Sequence, residues 1–594
     1  MANVKKTAEK AVRYLMEKGI RETARRTALH FGRKRAEKSF VRKMQLSPEE
    51  LERQRAAVFS RPLRFSVVVP LYNTPEDLLK ETIDSVCQQT YDGWELCLAD
   101  GSDEAHSGVG KYCLERAKTE TRILYRKLEK NGGISENTNA CLEMATGDYI
   151  ALFDHDDLLM PNALYEMRSA IEKTNADFLY SDEMIFRSPR RDKPAGIRMK
   201  PGFSPDSLRA NNYICHLTVF SRELLEKTGG FRKAFDGSQD HDMILRLTDR
   251  AERIAHISKV LYLWRSIPGS TASDIRSKTY AIDAGRSAVE SFLRERRGIS
   301  ARVESTEVFP TMYRVFYPIG GEPGVRVIVD ARRELGSIEE KIKSLKASAG
   351  WEKCSWTVLE GSGEGPSPRN GTGRPEYESI VLPPQESRRA AWNLAGGRGE
   401  EEYLLFVDGI PEAKESGWLK ELLSHAQLEH TGAVGPKIHF ARGDVRHAGV
   451  VIGMGPEGVA GRAYYMADAD SAGYFGQMAV VENVAAVTDC LMVSREKWKE
   501  AGGFSDKYGD ALFDVDFCLR LLEKGYYNVF TPHACLKLGK AKDTSFDVGK
   551  EYAGYAKDAA AFRSRNDAWL KAGDPCFNPN LSLKYEDWRI RKQK

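Results

Sequence analysis

The chain has no cysteine pair at C-x-x-C spacing; its ten cysteines lie singly across 594 residues. That excludes a zinc ribbon and a small disulfide-stapled scaffold, and it suits a reducing cytoplasm. No run of eighteen apolar residues occurs, so no membrane-spanning helix is expected. The first residues lack an apolar signal core, so secretion by that route is not expected and the expected location is cytoplasmic. Neither sign of charge dominates: 89 Lys and Arg face 85 Asp and Glu, a net +4. With 41% hydrophobic and 29% charged residues, the composition is that of a globular protein with ample core material.

The balanced total hides a basic start. Residues 1–43 hold fourteen Lys and Arg against four Glu, a net +10, which leaves −6 for the remainder. Val12, Leu15, Met16, Ile20, Ala24, Ala28 and Phe31 recur at helical intervals, so the stretch reads as a basic amphipathic helix. Two readings stand side by side. One is adsorption to an anionic membrane surface, where each basic residue near the lipid contributes about 1 kcal/mol. The other is a solvated helix packed on its own protein. Nucleic acid is not an expected partner, because aromatic residues for base stacking are sparse here.

From residue 65 short β-rich runs alternate with helical stretches, which predicts an α/β fold with a mostly parallel sheet. Phe65–Pro70, Trp94–Ala99, Arg122–Leu128 and Tyr149–Phe153 read as strands, and polar groups gather where they end. In open α/β sheets that edge binds ligands. A second half repeats the first: Ser221–Phe231 aligns with Ser494–Phe504, and Asp240-His241-Asp242 with Asp514-Val515-Asp516. An internal duplication follows. The expected organisation is a basic helical region at 1–62, an α/β domain at 63–300, a Pro/Gly linker at 301–324, a second α/β domain at 325–545 and a helical, basic tail at 546–594.

The acids carry the chemistry. Asp154 and Asp156 leave an apolar strand at i and i+2, a spacing able to hold one hard cation. Asp100 ends the preceding core strand ahead of Gly101 and Ser102, and Asp240 opens a helix, a natural place for an ionised general base. Each alone has a plain structural explanation as a cap or turn residue. A phosphate-loop NTPase is discouraged, since Gly108-Val109-Gly110-Lys111 is followed by Tyr112 instead of Ser or Thr. A nucleotidyltransferase would carry a Gly-rich basic signature where this chain has Leu71-Tyr72-Asn73-Thr74.

Taken in order, FSVVVPLYNTPEDLL (65–79), LADGSD (98–103), NGGISENTNACL (131–142), ALFDHDDLL (151–159), YSDE (180–183), GSQDHDMILRL (237–247) and LYLWRSIPGSTA (261–272) resemble the inverting glycosyltransferases of family 2, whose fold is called GT-A. More narrowly the chain is similar to two-domain bacterial members of surface-polysaccharide and O-antigen clusters, some of them rhamnosyltransferases. The resemblance implies two tandem GT-A domains and transfer of a sugar from a nucleotide diphosphate to a growing, lipid-linked glycan at the inner face of the cell membrane. It implies Mg²⁺ or Mn²⁺ on Asp156 and Asp154, with Asp240 as the base. Donor binding would fall to Pro70, Tyr72, Asn73, Asp100, Ser102, Gly133, Asn139, Asp154 and Arg265. Asp182, Glu183, Gln239 and Trp264 would face the acceptor.

This chain departs from that pattern in two ways. A histidine that relatives carry within 261–267 is missing, with Leu263 and Ile267 present instead. In the second half Glu360 stands where Asp100 stood, Ile410 stands at the metal-binding acid, and Asp514 alone keeps its position. An isoleucine cannot coordinate Mg²⁺, so the second domain is expected to fold but not to bind donor. It could bind acceptor glycan, a partner or the first domain; His447 within it reads as structural. The alternatives are a second, metal-free transferase, or a non-catalytic glycan- or nucleotide-binding scaffold with both halves degenerate. The Gln-x-x-Arg-Trp text of processive synthases is absent, which favours transfer of one or few sugars.

Overall fold

The computed structural model describes residues 27, 31–266, 279–334, 336–362, 376–383, 385–441, 443–538, 554–585 and 588–592. Most of the expected basic helix, position 267 and most of the Gly/Ser/Pro/Arg-rich stretch 361–375, expected to be a loose loop, lie outside them. The described part of that helix, residues 31–43, exposes Arg33, Lys34, Arg35, Lys38 and Arg42. Its Phe40 and Val41 are buried in a cluster with Met184, Phe186 and Ile197. This end of the helix packs on its own protein.

The first half builds a sheet from β1 (Phe65–Leu71), β2 (Trp94–Asp100), β3 (Ile123–Lys127), β4 (Tyr149–Leu152), β5 (Leu158–Leu159), β6 (Phe178–Arg187), β7 (Arg190–Arg198), β8 (Thr218–Ser221) and β9 (Ile254–Ser266). The order is β3-β2-β1-β4-β8-β6-β9-β5, with β7 on β6. Every residue of β1 is buried, as a parallel strand covered on both faces requires. The helix Glu76–Cys87 opens with Glu76 and Asp77 at its positive end and turns Leu79, Ile83 and Val86 inward. Register then sets the site. Leu71 lies opposite Asp100, and Val68 opposite Leu152, so the turns leaving β1, β2 and β4 emerge side by side.

The stretch expected to be a linker contains a hairpin, β10 (Arg302–Ser305) and β11 (Tyr313–Phe316). Its Val303, Tyr313 and Val315 are buried in the first half's core, together with Tyr317. Alternating apolar residues in that text carry the hairpin; Pro310 lies in its loop and the other prolines and glycines of the stretch follow its second strand. The packed chain of the first half therefore reaches Tyr317.

The second half contains β12 (Val325–Asp330), β13 (Cys354–Gly361), β14 (Glu378–Leu382), β15 (Tyr403–Asp408), β16 (Glu412–Ala413), β17 (Thr431–His439), β18 (Val445–His447), β19 (Val450–Ile452), β20 (Ala460–Arg462), β21 (Glu482–Val484), β22 (Cys490–Ser494) and β23 (Tyr527–Lys537). Its main order, β14-β13-β12-β15-β22-β17-β23-β16, repeats that of the first sheet strand for strand. The two copies even share caps: Ser221 Oγ accepts from Leu224 N at 3.1 Å and Ser494 Oγ from Lys497 N at 3.3 Å. The duplication read from the text is thus a duplication of topology.

The halves pack tightly against each other. Asp206 is held by Asn483 and by His430 of the second half at 2.9 and 3.1 Å. Asn578, in the C-terminal segment, donates to both oxygens of Asp182 at 3.0 Å. Among the described residues no helix is long and apolar enough to cross a membrane.

Candidate active site

Three turns meet at the carboxyl edge of the first sheet. The β1 exit puts Asn73 at φ +48, tolerable for asparagine, and exposes Tyr72 to 47%. Asn73 N donates to Ser102 Oγ at 2.8 Å, and its side chain exchanges hydrogen bonds with Asp103. Pro70 is buried within β1. Asp100 is 1% exposed: Ser102 N donates to one of its oxygens and Tyr125 OH to the other, both at 2.8 Å. In this conformation its carboxylate holds the turn instead of facing an open cleft. Gly133, at φ +97, closes the neighbouring loop where a Cβ would come 2.6 Å from Asp236 Oδ2.

The acid turn after β4 is tied to the first turn by Thr74 Oγ1 and His155 Nδ1 at 3.1 Å. Asp157 is buried and accepts from Tyr262 OH and Arg265 N at 2.6 Å; burial, with Asp156 and Asp154 beside it, pushes it well above the carboxylate range. Asp154 keeps its side chain 45% exposed, 3.3 Å from His216 Nε2. Burial would raise it, but His216 outweighs this and holds it below its ordinary value. Asp156 is pushed up by burial and by the like charge of Asp154. Two crowded acids with no side chain hydrogen-bonded to the Asp156 carboxylate, among the described residues, fit a cation of the hard, oxygen-binding type. Also among the described residues, no group of three or more His, Cys, Asp or Glu is arranged to hold a metal ion. Mg²⁺ commonly takes one or two carboxylates and completes its shell with water and substrate phosphate, so the pair suffices.

His216 joins this turn to Asp240. Its ring stacks on Tyr262 at 4.6 Å and meets Trp264 edge-on at 5.9 Å. Burial alone would push the imidazole down; Cys215 and Asp154 outweigh it and hold it well above the usual histidine range. The preceding Cys215, at φ +45, points its thiol at Asp240 Oδ2 from 3.8 Å. Asn212 donates to the same oxygen at 2.8 Å, and His241 N to the other at 2.8 Å. Asp240 stands in the first turn of the helix Gln239–Arg250. Asp154 is thus linked through His216 and Cys215 to Asp240, Asp156 lies two residues along the same turn, and the turn of Asp100 adjoins it.

Four expected site residues are engaged elsewhere. Arg265 is 1% exposed and spends its guanidinium on Asp156 O, Glu81 and Ser188 at 2.6, 2.6 and 3.2 Å, so it braces the acid turn and is not free for a diphosphate. Asn139 clamps Phe231, donating to its carbonyl at 2.9 Å and accepting from its N–H at 2.8 Å. Asn393 does the same to Phe504 in the second half, at 2.7 and 2.9 Å, so the clamp belongs to the fold. Asp182 is fully buried on Asn578, His256 and Lys200 N, and Glu183 on Lys200 and Arg198. Neither faces an acceptor. Gln239, accepting from Gly237 N at 3.0 Å, and Trp264 remain half-buried at the site. His216, Cys215 and Asn212 escaped the sequence reading because no spacing links residues 212–216 to either acid turn; only β8 pairing with β4 brings them there.

The second half shows what replaces the site. The short β16 lies on β23 as β5 lies on β9, and two residues ahead of each stand Ile410 and Asp156. Ile410 is 3% exposed. Where the first half opens its helix with Gly133-Ile134, the second has Ser387-Arg388. Arg388, 2% exposed at its side chain, lies 2.6 Å from Asp408, 3.7 Å from Asp514 and 4.0 Å from Asp489. A guanidinium thus stands among three carboxylates at the turn that leaves β15. Asp489 in turn holds Arg446, Arg462 and His447 at 2.8, 3.1 and 3.3 Å.

An open sheet of this order, with acid turns at the carboxyl edge of its parallel strands, defines the class: a GT-A-type fold, here present twice. The model of the glycosyl transferase family 2 matches residues 66–229. The putative glycosyltransferase EpsE of Bacillus subtilis is 30% identical over 231 residues, 37% of this chain and 78% of EpsE. The chain belongs to glycosyl transferase family 2. Two longer relatives cover both halves. Protein y4gI of Sinorhizobium fredii is 34% identical over 88% of this chain, and the O-antigen biosynthesis protein RfbC of Myxococcus xanthus is 32% identical over 90%. The chain spans 58% and 42% of their lengths. Among solved structures, S. aureus TarS 1-349 in complex with UDP-GlcNAc aligns at TM-score 0.33 and 20% identity, covering 39% of this chain and 67% of that one.

Proposed function

We propose that the first half transfers a sugar from a nucleotide diphosphate to a hydroxyl of a bacterial surface glycan, with inversion. The observation that carries this is the contact network linking the acid turn to Asp240 through His216 and Cys215. Asp240 accepts the proton of the acceptor hydroxyl as that oxygen bonds to the anomeric carbon. The bond from that carbon to the diphosphate oxygen breaks on the opposite face, which inverts the centre. Asn212 and the Cys215 thiol orient the carboxylate for this. Asp156, with Asp154, would hold a divalent cation, Mg²⁺ or Mn²⁺, which would neutralise charge on the leaving diphosphate. Tyr72, Asn73 and Ser102 line the donor side, with Asp100 and Gly133 shaping the turns behind them. A polyprenyl-diphosphate-linked acceptor at the membrane surface accords with the basic N-terminal text and with the O-antigen role in the name of one relative.

The test is turnover of a panel of UDP-, GDP- and dTDP-sugars with Mn²⁺, comparing the natural chain with Asp156→Ala and Asp240→Asn. Each variant should lose about a hundredfold or more in kcat, in the range typical of a missing base or Lewis acid. Turnover that survives both substitutions refutes the assignment.

A further inference from the structure

The side chains around Asp240 include aromatic rings that donor chemistry leaves unused. Tyr280, 59% exposed, lies over Gly237, where a Cβ would come 2.6 Å from its ring. The loop of the β10–β11 hairpin carries Phe309, 40% exposed, and that hairpin reaches the base helix through Tyr313, whose ring stacks on His241 at 6.2 Å. The third ring comes from the other half. Phe475 sits at φ +46, a conformation a bulky residue adopts only under constraint, so it marks a place where the surroundings over-determine the backbone.

What holds Phe475 there is contact with the first half. The adjoining Gly476 seats against the hairpin so closely that a Cβ would lie 2.5 Å from Met312 and 3.5 Å from Phe309. Arg198 stands over the Phe475 ring at 5.1 Å, and Tyr474 OH donates to Ile197 O and accepts from Met199 N, both at 3.0 Å. Asn211 and Tyr213 line one small cavity with Phe475 and Gln477. They flank Asn212, the residue that binds Asp240. Both copies of the fold therefore pack around the segment that carries Asn212.

We propose that Phe475 of the second half, with Phe309 and Tyr280 of the first, forms an acceptor subsite that stacks on the pyranose rings of a glycan and leads its end to Asp240. This rests on the reading of Asp240 as the base. The chemistry favours a saccharide: Arg198 stands over the Phe475 ring, Gln477 shares its cavity and Gln239 accepts from Gly237 beneath Tyr280, which suits a ligand with apolar faces and hydroxyl edges. A lipid chain would call for a contiguous apolar patch. The second half, with Arg388 among its own strand-end acids, thereby gains a task in the first half's reaction.

The test uses the full chain on immobilised oligosaccharides from bacterial surface polysaccharides. The natural chain should bind a subset of them. Phe475→Ala with Phe309→Ala should weaken that binding about tenfold or more, a shift near 1.4 kcal/mol. Phe475→Tyr should keep it, and Leu394→Ala, a remote exposed residue of the second half, should leave it unchanged. If Phe475→Ala fails to fold, Phe309→Ala alone in the exposed hairpin loop decides. Binding indifferent to Phe309 and Phe475, or no glycan bound by the natural chain, overturns the subsite. Glycan binding that needs these rings, in a chain that turns over no nucleotide sugar, leaves the subsite standing and overturns the transferase reading instead.

Discussion

The asparagine clamp offers a direct comparison between the two halves. Asn139 and Asn393 make the same pair of hydrogen bonds to Phe231 and Phe504. Truncation to alanine removes two bonds and leaves a buried N–H and C=O without partners. Each such group costs about 1–3 kcal/mol, so each variant should lose about 2–6 kcal/mol of stability. In domains of this size that corresponds to roughly 4–24 °C in melting midpoint. Near-UV circular dichroism on heating, run on Asn139→Ala and Asn393→Ala side by side, measures it. Donor KM for Asn139→Ala, taken well below its midpoint, should match the natural chain's. Asn139→Ala melting at the natural temperature while its donor KM rises tenfold would return this residue to the donor site and refute the clamp argument.

Three further outcomes are expected. Burial holds Glu482, at the junction of the halves, up to about 8 from an ordinary 4.5. A carboxyl protonated in the fold but ionised in the unfolded chain loses stability as pH rises from about 4.5 through about 8, on the order of 5 kcal/mol at most. Glu482→Gln should flatten urea midpoints across that window, and an unchanged slope would count against it. Arg265→Met should free the acid turn and lower kcat about a hundredfold, the cost of a misplacement near 1 Å, with melting curves separating this from unfolding. Deleting residues 1–30, eight of whose side chains are Lys or Arg, should release the protein from anionic vesicles but not alter its behaviour on neutral ones.

Much of the fold was legible because its signals are local. Buried β-branched runs such as Phe65–Leu71 announce parallel strands, and repeated text around Ser221 and Ser494 announces a duplicated sheet. The acids at strand ends were legible for the same reason. Residues acting through tertiary contact were not: Arg265 reads as a free cation until its partners Glu81 and Ser188 are known. Asp182 reads as an acceptor-facing acid until Asn578, nearly four hundred residues away, closes over it. The hairpin at 302–316 was hidden by Pro310 in its loop and by the prolines and glycines that follow it. His216 carried no local signal at all.

Arg388 has a consequence for how this chain can change. Three aspartates lean on one guanidinium, so replacing Ile410 by an acid would add negative charge to a pocket already balanced around that side chain. Removing Arg388 first would take one positive charge from beside Asp408 and Asp514, while Asp489 would keep Arg446, Arg462 and His447. An interior built around one guanidinium in this way is fixed by packing and charge, while the outer surface of the second half stays free to diversify.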